Sequence, residues 1–196
     1  MDGIEKLAIF KKELKFILDK DIRNFAELAL VNTPDYFFTV PASSSGRNHP
    51  AYAREEGGLV AHTKACMMIA VEMFRMDMFT YSEEEKDIIL VSLLLYDTRK
   101  QGEESEGATV AEHPLLARMS LINNADLWVI PLEKIHLIAD NISTHMGQWV
   151  FDYTGQQVLD RPQTKMQKFV HICDYIASRK FLEVNFDVKI TRGKVK

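Results

Sequence analysis

Apolar positions recur at helical spacing along most of the chain. Across residues 4–18, Ile4, Leu7, Ile9, Phe10, Leu14, Ile17 and Leu18 fall near a 3.6-residue period with lysines between them, which predicts an amphipathic surface helix. A second helix is predicted over 22–31 and is stopped by Asn32-Thr33-Pro34. Four more follow at about 59–79, 83–96, 112–124 and 132–145, and Ser82 with Glu85 reads as a capping box opening the second of these. A last helix, about 163–183, carries Met166, Phe169, Val170, Cys173, Ile176 and Ala177 on one face. The period fails over 36–58, "YFFTVPASSSGRNHPAYAREEGG", which is predicted to be a long ordered loop. Loops of that length inside a compact domain are usually functional or disordered. The tail, "VNFDVKITRGKVK", alternates weakly and fits a short strand or a frayed end. The pattern therefore predicts an all-α chain, a single-domain helical bundle over 1–196.

Composition narrows the class. With 196 residues, 46% of them hydrophobic, one real core fits and a second full domain would be cramped. No stretch of 18 apolar residues occurs, and the N-terminal pattern holds acidic residues and lysines, so neither a membrane span nor a secretory signal is expected. A cytoplasmic location follows as the expectation. The two cysteines, Cys66 and Cys173, lie inside apolar helical patterns and read as reduced core thiols. A net charge of -4 argues against broad nucleic-acid binding but leaves room for a local basic groove. Arg179, Lys180, Lys189, Arg192, Lys194 and Lys196 form a basic stretch that fits either a polyanion track or a soluble tail.

The chemistry-bearing side chains sit at helix ends and in helix interiors. His62 lies one turn into a helix directly after "GGLV", Asp97 closes the next, His113 opens a third and His145 closes a fourth. Asp174 lies in the middle of the last helix, between Cys173 and Tyr175. Ligands projecting inward from different helices of a bundle can converge on one point. An ionised aspartate facing a core costs several kcal/mol unless it is paired or metal-bound, so Asp174 calls for a cation. Imidazole plus carboxylate suits manganese, iron, nickel or zinc better than magnesium. Such an ion polarises a phosphoryl oxygen and activates water near neutral pH, which makes phosphate-ester hydrolysis the natural chemistry.

The order and spacing of "GGLVAHT" (His62), "LLLYDTRK" (Asp97), "AEHPLLA" (His113), "ISTHMGQW" (His145) and "HICDYIASRK" (Asp174) resemble the HD-domain metal-dependent phosphohydrolases. The resemblance spans about residues 40–182 and leaves 1–32 as N-terminal helices and 185–196 as a tail. It is nearest to the branch reading "PAS…H…GGL…HT" before the first ligand, found in the HD domain of some exoribonucleases and their small bacterial and phage-encoded relatives. It implies that His62, Asp97 and Asp174 bind the catalytic metal, and that His113 and His145 complete a second metal position or contact the substrate phosphate. Lys100 matches the basic residue three places after the family's aspartate and is expected to hold a phosphate oxygen.

One position departs from the family. Where the namesake pair has a metal-binding histidine, this chain has Tyr96, a phenol that is protonated at neutral pH and ligates poorly. Three outcomes are open: a metal retained by the remaining residues, one weaker metal with slow turnover, or a catalytically impaired module that binds a nucleotide or phosphate without cleaving it. A retained metal is the favoured one.

Each residue also has a plain structural reading. His113 reads as a helix cap, His145 as a histidine favoured by a helix C-terminus, and Lys100 as part of a solvated turn. Arg47, His49 and the serines of "PASSSGRNHP" are placed to contact a phosphate or sugar; His171 is ambiguous and His136 reads as surface. Trp149, with Phe151 and Tyr153, could stack on a base or cover the end of the bundle. The expected substrate is a nucleotide, a nucleic-acid end or a related phosphate ester, handled with one or two divalent ions. The amphipathic N-terminal helix allows a different class of reading, an oligomeric interaction protein.

Overall fold

Residues 87–95 are buried on every side, so the helix that carries them has to run through the middle of the molecule. The computed structural model describes residues 1–44 and 46–182. Seven α-helices are present among them: α1 (Gly3–Ile9), α2 (Lys20–Val31), α3 (Gly58–Met73), α4 (Glu83–Leu95), α5 (His113–Ile122), α6 (Leu132–Ser143) and α7 (Lys165–Ala177). The described residues contain no strand, only an isolated bridge between Phe151 and Gln157. Helix α4 is the axis, touching α2, α3, α6 and α7, while α5 packs on α6 and α1 on α2. One apolar core runs from Phe10 to Ala177. None of these helices is long and apolar enough to cross a membrane.

Local chemistry explains the helix starts. The Ser82–Glu85 capping box is present, with reciprocal bonds of 2.7 and 3.2 Å. Thr164 and Gln167 form another at the start of α7, and Asp2 and Glu5 a third at α1. Gly57 enters α3 with φ +72°, a left-handed conformation that glycine adopts without a Cβ clash. A Cβ on Gly58 would collide with the Ala53 carbonyl oxygen, so the second glycine lets the loop pass close to the helix.

The structure corrects several predicted boundaries. The helix expected over 4–18 is broken: α1 stops at Ile9, and a 3-10 turn follows at Glu13–Phe16. The break comes from tertiary contacts that outweigh local propensity. Lys64 Nζ binds the Ile9 carbonyl at 2.7 Å, and Asp87 on α4 accepts the Leu18 and Asp19 amides at 2.9 and 2.8 Å. Phe10, Leu14 and Ile17 thereby enter the core while Ile4 and Leu18 stay exposed. Helix α3 ends at Met73 rather than 79, and α7 at Ala177 rather than 183. The expected strand or frayed tail lies outside the described residues, as do Lys189, Arg192, Lys194 and Lys196.

The 36–58 segment is folded onto the bundle, as an ordered loop should be. It contains 3-10 turns at Asp35–Phe38 and Ala51–Ala53 and buries Phe37, Phe38, Ala42 and Ala53. Tyr36 donates its hydroxyl to the Gly102 carbonyl at 2.6 Å and accepts the Gln101 amide at 3.2 Å. Ser44 Oγ accepts the Thr109 amide at 3.0 Å. Two loops are thus tied together beside the helix ends that carry Asp97 and His113.

Candidate metal centre

Asp97 follows Tyr96, the residue that caps α4; His113 opens α5; His145 lies just past α6. These three converge. His113 Nε2 is 3.1 Å from Asp97 Oδ1, His145 Nε2 is 3.5 Å from the same oxygen, and the two nitrogens are 3.3 Å apart. All three side chains are fully buried.

The outer faces of the rings are held by backbone carbonyls. His113 Nδ1 lies 2.6 Å from the Val110 carbonyl and His145 Nδ1 2.8 Å from the Ile142 carbonyl. A carbonyl only accepts, so each ring donates its Nδ1 proton outward and turns its Nε2 inward. Burial, with the Lys100 ammonium acting in the same direction, pushes the His113 imidazole down to about 4, so the ring is neutral at pH 7. Two imidazole Nε2 atoms and a carboxylate oxygen therefore face one another across little more than 3 Å. That donor set fits a divalent transition ion, with the outward carbonyl bonds serving as the orienting second layer.

Lys100 pairs with Asp97. Its ammonium lies 3.0 and 2.8 Å from the two oxygens of Asp97. Burial alone would raise the Asp97 pKa, but this ammonium together with the contacts to His113 and His145 outweighs it and holds the carboxyl well below the usual range. The lysine is thus engaged with the carboxylate.

A second group lies on α3 and α7. His62 Nε2 is 2.9 Å from Asp174 Oδ1, and Cys66 Sγ is 3.9 Å from that nitrogen. Burial raises the Asp174 pKa, and the hydrogen bond with His62, joined by the charge interactions with His62 and His145, more than reverses this, leaving it at about 2. The five residues expected to meet at one interior point are thus arranged as two groups, Asp97–His113–His145 and His62–Asp174, the latter joined by Cys66.

Tyr96 stands between the groups. It is wholly buried, its ring centroid 4.6 Å from that of His145 and 6.3 Å from that of His62. Its hydroxyl is 3.3 Å from Asp174 Oδ1 and 3.2 Å from Cys66 Sγ. Burial pushes the phenol well above its usual pKa, with Cys66, Asp174 and Asp97 adding to the effect. The tyrosine is therefore a neutral donor inside the site.

The other candidates divide. His49 packs its ring edge-on against His62 at 5.0 Å, and burial pushes its imidazole down to about 4. His171 donates from Nδ1 to the His145 carbonyl at 2.8 Å, making it a support for that histidine. Trp149 is half-exposed and stacks on Tyr175 at 5.8 Å with an interplanar angle of 15°. It approaches the centre only through the neighbouring His171 ring, 6.2 Å away. Arg47 lies exposed on the covering loop, and His136 is half-buried on α6 outside both groups. Cys66 was legible in sequence only as a core thiol; the overlooked signal is its i, i+4 spacing from His62.

Comparison with known proteins finds no matching family model, no matching curated protein and no matching solved structure.

Proposed function

We propose that the protein is a divalent-metal-dependent phosphohydrolase of the HD-domain type, acting on a nucleotide, a nucleic-acid end or a related phosphate ester. The observation that carries this reading is the inward convergence of two Nε2 atoms and the Asp97 carboxylate, each imidazole locked by an outward bond to a carbonyl. Two imidazoles and a carboxylate converging in this way are the ligand types that a divalent transition ion binds.

Asp97, His113 and His145 would hold one ion, with His62 and Asp174 beside it. When bound, the ion supplies Lewis acidity toward a phosphoryl oxygen and acidifies water. The protein's own groups do the rest. Lys100, adjacent to Asp97, brings a positive charge that can pass to a phosphate oxygen once the carboxylate is otherwise neutralised. Arg47 and His49 lie on the loop covering the site and would orient the phosphate, while the stacked pair Trp149–Tyr175 offers an aromatic face to a base. Val110 and Ile142, through their carbonyls, fix the ring orientations.

Full-length protein assayed on a panel of nucleotides, short oligonucleotides and simple phosphodiesters with added manganese, nickel or zinc tests this. Turnover that a chelator abolishes and Asp97→Asn reduces by at least about 100-fold is expected. Folded protein with no turnover under any of these ions would overturn the reading.

A second reading draws on Tyr96 and Lys100. The phenol fills the position of a ligand and the lysine already neutralises Asp97, which favours a catalytically impaired module that binds a nucleotide or phosphate without hydrolysis. Calorimetry showing tight nucleotide binding with the ligand intact after hours supports it; rapid product formation rules it out.

A further inference from the structure

His62 and Cys66 stand one helical turn apart on α3, so both side chains leave the same face and meet Asp174 on α7. The donor atoms Nε2, Sγ and Oδ1 all lie within 4.8 Å of one another. A tetrahedral zinc ion with bonds of about 2.0–2.3 Å spreads its donors roughly 3.3–3.6 Å apart. The spacings found here, 2.9 Å from His62 to Asp174 and 3.9 Å from His62 to Cys66, bracket that value.

Charge distinguishes this group from its neighbour. Asp97 already has a cation, since the Lys100 ammonium touches both its oxygens. No lysine or arginine among the described residues pairs with Asp174, whose bonds come from His62 and Tyr96. A thiolate at Cys66 and a carboxylate at Asp174 would together carry two negative charges, which one divalent ion cancels. In a buried site that balance matters more than any single contact. His62 Nδ1 is also buried and without a hydrogen-bond partner. Its present bond to Asp174 occupies Nε2, and a proton moved to Nδ1 would free Nε2 as a ligand.

We propose that His62, Cys66 and Asp174 form a second metal site, selective for a thiophilic divalent ion such as zinc, in which Cys66 supplies the ligand that Tyr96 does not. Soft thiolate ligands favour zinc and disfavour magnesium, which seeks oxygen. On binding, the Cys66 thiol proton leaves to solvent and the proton on His62 Nε2 moves to Nδ1. Tyr96 keeps its own proton and remains a hydrogen-bond donor to the ligand set. The proposal deepens the phosphohydrolase reading, resting on it only for the role of this ion beside the first group.

The test is to strip full-length protein with a chelator and titrate it with cobalt(II) under reducing, oxygen-free conditions. A near-ultraviolet sulfur-to-cobalt charge-transfer band saturating at one equivalent is expected. Zinc should abolish it by displacement and magnesium should not. Because the chain has only two cysteines, the assignment is clean: the band should vanish in Cys66→Ser and persist in Cys173→Ser and in His113→Ala. Absence of the band in unsubstituted protein at excess cobalt overturns the proposal, as does a band undiminished in Cys66→Ser. If that variant does not fold by circular dichroism, Asp174→Asn replaces it. A loss of cobalt affinity beyond the roughly 10–100-fold that an outer-sphere partner costs is then expected, and unchanged affinity overturns the site. A band with no hydrolysis of any phosphate ester leaves this site standing and removes the hydrolase reading; hydrolysis without a band does the reverse.

Discussion

The Tyr96 hydroxyl sits 3.3 Å from Asp174 Oδ1 while its ring lies 4.6 Å from that of His145, so one side chain touches both groups of donors. A histidine there would present a second imidazole to the same space. Tyr96→His is therefore expected to raise the metal content of the purified protein and any metal-dependent rate, read by elemental analysis and steady-state kinetics. No change in either would show that the tyrosine does not limit the site. Tyr96→Phe removes only the hydroxyl and leaves Asp174 one hydrogen bond short, so stability in urea should fall by about 1 kcal/mol.

The Asp97–Lys100 pair carries a second prediction. Both groups are buried or nearly so, the lysine side chain being 12% exposed. Removing one partner of a buried pair leaves the other charge uncompensated, at a cost of roughly 3–5 kcal/mol. Asp97→Ala in metal-free protein should show a loss of that order in chemical denaturation. The double variant Asp97→Ala, Lys100→Met should lose less than the sum of the singles, because the stranded ammonium is gone. Additive losses would contradict the pairing.

Acid sensitivity follows from the buried imidazole. Burial holds the folded His113 at about 4 against an ordinary 6.5. Between those values the unfolded chain binds the extra proton and the folded chain does not, so stability rises with pH across the window and its full contribution is present above 6.5. For chelator-treated protein the effect is on the order of 3 kcal/mol, and His49 acts in the same direction. Asp174, at about 2 against 3.8, adds a further loss as pH falls through that lower range. Urea midpoints measured from pH 4 to 7 in wild type and His113→Gln check it: the slope should flatten in the variant.

Much of this was readable from residues alone. The apolar run that ends in Leu95 marked α4, the Ser82–Glu85 box marked its start, and "GG" before Leu59 marked the tight entry to α3. The polar residues that would gather were named because histidines and aspartates at buried helix positions demand partners. What stayed hidden depended on distance between segments. The break after Ile9 is imposed by Lys64 and Asp87, far away in sequence, against a local pattern that favours a continuous helix. The sorting of five residues into two groups, and the turning of Lys100 onto Asp97, are facts of packing angle. Cys66 looked apolar because a thiol in a helix reads like alanine until its neighbours are known.

The claim at the centre is that a cation belongs among these buried donors. The most direct measurement is the transition-metal content per chain of protein purified without chelator and without added metal. The account predicts about one to two equivalents, reduced in His113→Ala and again when Cys66→Ser is added. Correctly folded protein carrying well under a tenth of an equivalent, and taking up none when dialysed against zinc or manganese, would contradict it.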